Sequence, residues 1–312
     1  MSAHVSSSQW QSIGAILFAS LLWGTTGSAA ALAPTIHPLA IGAFAMGVGG
    51  LLLALVAVPA LIKDLAILRQ HVGTLILGAL ALTLYPLAFY TSMRWSGVAI
   101  GTVVSIATAP LFTVCFERLF GTVKALSTQW LISFAFGAIG VMLLTLTKGD
   151  GVNTLDNGRF TFGVVLGLVA AASYAGYSLA AKRLITLGVR SQSAMGAIFG
   201  LGACLLLPTL FWTGSTLFAS AINSAVALYM AVIPMFVGYL LFGFGLRRVE
   251  VRTATLLTLF EPLVAALLAV IFLGERLSIQ GWVGLGLISA CLLIQTRTGR
   301  VKKAMPLAQN ES

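Results

Sequence analysis

Charge is what this sequence has least of. Only 8% of its 312 residues are charged, against about a quarter in a soluble domain. The 59% that are hydrophobic could not be covered by so few polar groups in water. A soluble enzyme, a disordered chain and a small disulfide scaffold are all excluded by this ratio. Cysteine is scarce too. Cys115, Cys204 and Cys291 are scattered through apolar runs, a pattern that fits neither a disulfide framework nor a zinc site. Each reads as a small packing residue. Histidine is confined to His4, His37 and His71, in loops or at helix edges, which argues against an intramembrane histidine relay. No phosphate loop, no His-Glu-x-x-His and no Gly-x-Ser-x-Gly element is present. No polar stretch is long enough for a nucleotide-hydrolysing domain, so an ATP-driven pump is excluded.

What is present is apolar length. Mean hydropathy is +1.01, and one span needs about 20 apolar residues. The chain divides into ten expected spans, at 12–33, 38–62, 72–94, 98–118, 127–147, 161–181, 192–213, 222–246, 252–273 and 280–297. The expected class is an all-α polytopic membrane protein. Residues 1–11 carry no Lys or Arg and so lack the basic start of a signal peptide, and the first span is read as retained.

The net charge of +10 comes from 18 basic residues against 8 acidic ones. In a soluble protein this would suggest nucleic acid. Here the basic residues sit mostly in the short gaps between spans. With both termini cytoplasmic, fourteen fall inside, and Arg94, Lys148, Arg159 and Arg276 fall outside. The positive-inside rule therefore predicts an even span count with both ends in the cytoplasm. Lipids and a small molecule are the expected partners, with no nucleic acid and no obligate protein partner evident.

The longest polar break, Lys148 to Arg159, lies near the midpoint and separates five spans from five. Pro110 and Trp130 in the first half match Pro262 and Trp282 in the second at equal spacing. Five is odd, so a second copy must insert upside down. That is the inverted-repeat plan of many secondary transporters, whose site lies near the midplane between the repeats. The expected division is a cytoplasmic segment 1–11, a first repeat 12–147, an external linker 148–160, a second repeat 161–297 and a cytoplasmic tail 298–312.

Tryptophan and tyrosine normally collect at membrane surfaces, and those that do not are candidates for a site. Trp23 sits mid-span with Thr26 on the same face. Tyr85 is deep in the third span, with Phe89 one turn later. Tyr174 and Tyr177 lie in the sixth span, with Ser173 and Ser178, and Tyr239 in the eighth. Two readings stand for these rings: fillers between helices, or the lining of a cavity. Thr102, Ser105 and Thr108 precede Pro110, as Thr255 and Thr258 precede Pro262. A proline frees a backbone carbonyl, which serves either as a plain kink or as a cavity-lining hinge. Glu261, mid-span before Pro262, is the sharpest residue. An acid there costs about 2.5–3.5 kcal/mol on insertion scales, so it should face a cavity or a partner. Binding a substrate ammonium, carrying a proton and holding the freed backbone are the three roles that suit it. Glu117 and Glu275, beside Arg118 and Arg276 near span ends, read as interfacial anchors. Gly97 with Gly101, Gly163 with Gly167 and Gly196 with Gly200 have the spacing of close helix crossings.

These motifs resemble the drug/metabolite transporter superfamily in its ten-helix EamA-type branch. The resemblance is carried by Phe260, Glu261, Pro262 and Leu263, then by Leu273 to Leu277, Gln280, Gly281 and Trp282, and by Leu22, Trp23 and Gly24. The first half departs from it, with Ala109 before Pro110 and Gly-Thr-Val-Lys at 121–124 in place of a Gly-Glu pair. The resemblance implies two inverted five-helix repeats around a central cavity in the inner membrane. It further implies a carrier similar to the YddG-like amino-acid exporters, working by alternating access. The expected substrate-binding set is Trp23, Thr26, Tyr85, Phe89, Thr102, Ser105, Tyr174, Tyr177, Tyr239, Thr255, Thr258 and Glu261, with Pro110 and Pro262 as hinges. No catalytic residue, metal or bound cofactor is implied. Efflux of cationic aromatic compounds, metabolite uptake, a channel and a membrane-embedded enzyme are the alternatives.

Overall fold

In hydrocarbon every backbone N–H and C=O must be satisfied within the protein, and a helix does this within its own segment. The computed structural model describes residues 3–120, 126–146, 157–272, 274 and 276–298, and ten of its helices are long and apolar enough to cross a membrane. They are α1 Ser8–Ala31, α2 Pro38–Gln70, α3 Val72–Ser96, α4 Ile100–Leu119, α5 Thr128–Thr145, α6 Gly158–Thr186, α7 Ser191–Thr216, α8 Ala221–Leu246, α9 Val251–Phe272 and α10 Ile279–Thr296. Most of the expected linker and tail lie outside the described residues, as do Lys124, Lys148 and Glu275.

The largest boundary difference is at α2, expected to end at 62 but helical through Gln70. No Gly or Pro follows Ile62 before His71, so Lys63 and Asp64 continue the helix instead of leaving it. Large apolar side chains such as Leu55, Ile62, Leu80, Phe211 and Ile271 are exposed around the bundle, where lipid would meet them.

The helix pairing is two-fold symmetric. α1 packs on α8 as α6 packs on α3, and α9 packs on α1 as α4 packs on α6. α2 pairs with α7, and α5 with α10. Exchanging the two five-helix halves leaves this pattern unchanged. The interior prolines follow it: Pro59, Pro86 and Pro110 in α2, α3 and α4 stand opposite Pro208, Pro234 and Pro262 in α7, α8 and α9. Small residues allow the close crossings. A Cβ on Gly196 or Gly200 would meet Ala57 or Ala54 of α2, and one on Gly163 or Gly167 would meet Ser96 or Ser92 of α3. Gly97 departs from that expectation. Its φ of +89° makes the tight turn between α3 and α4, a conformation glycine adopts without strain.

Five of the described spans are irregular: α7 tightens into a 3-10 turn at Leu207–Thr209, and four others break or widen. α1 is interrupted at Thr25, and α4 at Thr108. α9 is broken between Leu257 and Phe260. α8 widens into a π-helix over Ala231–Val237, around Pro234. Such irregular backbone at depth survives where it borders a cavity or is held by protein.

Candidate functional site

A cavity lies where the four broken or widened segments meet. It is walled by α1, α2, α3, α4, α6, α8 and α9. Trp23 forms one side. Its indole N–H donates to the Pro234 carbonyl at 2.8 Å, a hydrogen bond between the two halves that meets the widened turn of α8. The indole packs at a tilt against Tyr239 with centroids 4.8 Å apart, and a Cβ on Gly238 would fall 2.7 Å from its nitrogen. Only a glycine lets α1 and α8 close this far. Thr26 returns its hydroxyl to the Trp23 carbonyl at 2.7 Å, which satisfies an acceptor left open by the break at Thr25. Across the cavity, Tyr85 stacks on Phe89 at 5.8 Å and leans on Tyr174 at the same centroid distance.

The broken α9 supplies the polar wall. Thr258 donates to the Thr255 carbonyl at 2.9 Å and accepts from the Tyr174 hydroxyl at 3.1 Å. Glu261 follows in the first turn of the segment Phe260–Phe272, where a helix dipole favours negative charge. Its carboxyl lines the cavity. Among the described residues it makes no side-chain hydrogen bond or ion pair, and no Lys or Arg lines the cavity with it. Ser105, on the broken α4, also lines the cavity and has no hydrogen-bond partner for its buried hydroxyl. The set is thus one acid, several hydroxyls and aromatic faces. It suits an ammonium or other cationic group, which a carboxylate and ring faces both attract.

Of the residues expected to form a binding set, Trp23, Thr26, Tyr85, Phe89, Ser105, Tyr174, Tyr239, Thr258 and Glu261 line this cavity. Three do not. Thr102 turns to the Met93 sulfur of α3 at 3.5 Å. Thr255 is buried on the Arg252 carbonyl at 3.3 Å. Tyr177 lies behind the wall, its hydroxyl 2.9 Å from that of Tyr239. Thr102 and Tyr177 turn to side chains of neighbouring helices, whereas Thr255 satisfies its hydroxyl on a carbonyl of its own helix. Pro110 and Pro262 both fall in the first turn after a helix break. Tyr90, Met46, Pro86, Ile106 and Met235 also line the cavity and were missed. Tyr90 carried a signal, being an aromatic beside Phe89, but its partner did not. A Cβ on Gly42 would sit on the Tyr90 ring, and no spacing rule links those two residues.

The two ends of the cavity differ. Toward His37, Arg94 and Arg159 it adjoins a wide vestibule, and Tyr90 lines both spaces. The opposite end is packed shut between α4 and α9. Arg252 is held there by two bonds to the Glu250 carboxylate, at 2.7 and 3.0 Å, and lies 3.9 Å from Glu117. The Trp130 indole donates to the Arg252 carbonyl at 3.2 Å. Glu117 is therefore not the interfacial anchor expected from its position but part of an inter-helix charge cluster. Nearby, Lys182 donates to the Leu246 and Val249 carbonyls at 2.6 and 3.0 Å. Asp64 accepts three bonds, from the Arg190 backbone at 2.9 Å and from its guanidinium and Ser193, each at 2.6 Å. Asp64 ties α2 to the start of α7 and had been assigned no role.

Comparison with known proteins places the chain in a family. The EamA-like transporter family matches residues 10–146 and again 161–296, one match to each half. The uncharacterized transporter YwfM of Bacillus subtilis is 32% identical over 295 residues, covering 94% of this chain and 96% of that protein. The uncharacterized inner membrane transporter YedA of Escherichia coli is 29% identical over 202 residues, 64% of this chain and 62% of that protein. A solved crystal structure superposes with a TM-score of 0.76 over 96% of this chain and 99% of its own, at 19% identity, a likeness of fold. The chain belongs to the EamA-like transporter family: it is a multi-pass membrane transporter and not an enzyme.

Proposed function

We propose that this EamA-family transporter exports amino acids or related small amphipathic metabolites from the cytoplasm across the inner membrane by alternating access. The observation that carries the reading is the central cavity, in which Glu261 stands alone as the charged residue among aromatic rings and hydroxyls. An ammonium would sit between the Glu261 carboxylate and the faces of Trp23 and Tyr85, while Ser105, Thr26 and Thr258 offer hydrogen bonds. Residues 12–147 and 161–297 act as two inverted repeats, with Pro110 and Pro262 at the breaks where they bend. Both termini are cytoplasmic, so the closed end faces the cytoplasm and the vestibule faces outward.

Uptake of labelled amino acids and of cationic dyes into proteoliposomes, with and without a proton gradient, tests this. Amino acids should move saturably and show counterflow. Glu261→Gln should cut the rate at least about tenfold, the scale of one charge-assisted contact, and should remove any dependence on the gradient. Dye movement without amino-acid movement would reject the reading. It would favour efflux of cationic aromatic compounds, the second reading, which is supported by the absence of Lys and Arg from the described cavity wall. Gradient dependence that persists in the glutamine variant would reject proton coupling through Glu261.

A further inference from the structure

The vestibule holds a mismatch of donors. His37 caps α2, its Nδ1 accepting from the Leu39 backbone N–H at 3.3 Å. On its other side, Nε2 lies 3.2 Å from a guanidinium nitrogen of Arg94. A neutral imidazole has one lone pair and one N–H. If Nδ1 accepts from Leu39, then Nε2 carries the proton and points at an arginine that can only donate. Moving the proton to Nδ1 sets it against the Leu39 N–H instead, and a charged imidazole has no acceptor at all. In every state two donors face each other. The 3.2 Å separation leaves no room between the two nitrogens, but with the exposed Arg94 side chain swung aside an oxyanion resolves this by accepting a bond from each.

The surroundings fit such a guest. Arg94 and Arg159 are exposed to the vestibule, and among the described residues neither makes an ion pair. Trp95 and Tyr90 supply apolar walls, and Tyr90 also borders the cavity of Glu261. A solute passing between that cavity and the outside must cross this basic ring.

We propose that His37, Arg94 and Arg159 form a carboxylate-binding site at the mouth of the transport path, so that the transported solutes carry a carboxylate. The substrate clause rests on the transport reading above; the site itself does not. The central cavity offers the carboxylate of a zwitterion only hydroxyls, and the mouth supplies the guanidinium the cavity lacks. The same ring repels a purely cationic compound, which separates amino acids from cationic dyes.

The test is benzoate binding to the full-length protein in nanodiscs of phosphatidylcholine alone, followed by saturation-transfer NMR, with benzamide as the neutral isostere and empty nanodiscs as blank. Benzoate should bind saturably and benzamide should not. Arg94→Gln and His37→Gln should each weaken benzoate about tenfold or more, with the thermal midpoint unchanged in Arg94→Gln and slightly lowered in His37→Gln, which also loses the cap of α2. Arg94→Lys, which keeps the charge but loses the fork, should fall in between. Equal binding of benzamide, or benzoate binding unaffected by either glutamine variant, overturns the site. Benzoate binding that vanishes when phosphatidylglycerol is added would assign the site to a lipid phosphate and overturn the solute assignment. If benzoate binds as expected while proteoliposomes move dyes and no amino acid, the site stands and the transport reading fails. If amino acids move and benzoate does not bind, the reverse holds.

Discussion

The two ends of the transport path carry similar residues and use them oppositely. At the closed end each cation described above meets an acceptor: Arg252 on Glu250 and Glu117, Lys182 on two carbonyls, Arg190 on Asp64. At the open end Arg94 and Arg159 face a vestibule, and Arg94 meets the His37 imidazole at 3.2 Å rather than a carboxylate. The helix pairing is symmetric, so a symmetric backbone would be equally ready to close at either end. The difference lies in side chains. One ion pair, Arg252 with Glu117, bridges α4 and α9 at one end, while at the other Arg94 and Arg159 make no ion pair among the described residues. On the alternating-access cycle proposed above, the clusters at the closed end are the contacts that opening to that side has to break.

The largest effect is expected at the closed end. Arg252 is buried, but Glu250 is 38% exposed and Glu117 lies 3.9 Å away, so screening leaves about 2–3 kcal/mol for removing the arginine, enough to shift a two-state population strongly. With the native cysteines replaced by alanine and Ser105→Cys as a reporter in the cavity, an impermeant thiol reagent should label only from the Arg94 side. Adding Arg252→Ala should open labelling from the other side as well. Labelling that stays one-sided would mean that packing, not charge, seals this end.

Next comes the passage at the open end. Gly42→Ala puts a methyl where the Tyr90 ring lies, so the ring must swing toward the space shared by vestibule and cavity. Overpacking of this kind costs about 1–3 kcal/mol. It should lower the melting temperature and slow labelling of the same reporter several-fold. Gly42→Ala combined with Tyr90→Ala should restore the labelling rate, which a general folding defect would not allow.

A smaller effect is expected at Asp64. Its carboxylate is buried and accepts three bonds, but the Arg190 side chain is 52% exposed. Screening discounts the pair, leaving about 1–2 kcal/mol for Asp64→Asn. A thermal shift in detergent should report it, with little change in the side from which the reporter is labelled. A large change in sidedness would make this contact a gate rather than a brace. The smallest effect sharpens the boundary of the site: Thr102→Val, facing Met93, should leave transport within about twofold, since surface-type changes stay within about 0.5 kcal/mol. Thr258→Val should reduce it more, because Thr258 holds Tyr174 and lines the cavity.

Residues whose burial is forced by chemistry were legible early. Glu261 and Trp23 stood out because an acid or an indole far from water must have a partner, and both prove to border the cavity. Prolines marked the breaks in α4 and α9, where a missing N–H weakens the helix, although α2 and α3 run unbroken through Pro59 and Pro86. Thr102 and Thr255 do not line the cavity, because a hydroxyl in a helix can satisfy itself on a nearby carbonyl or sulfur, and spacing does not say which neighbour stands opposite. Asp64 and Glu117 were underrated for a related reason. Near a span end a charge can look out to water, and only the approach of α7 or α9 turns it inward.

Composition, hydropathy and the mid-chain polar break were sufficient for a ten-span helical membrane protein in two halves, because bilayer thickness and backbone satisfaction act on local sequence alone. Which end is shut, which face of each helix lines the cavity and which donors at the mouth lack acceptors were decided only by tertiary structure. Those properties belong to pairs of residues far apart in the chain, such as Arg252 with Glu117, Gly42 with Tyr90 and His37 with Arg94. No single segment carries them.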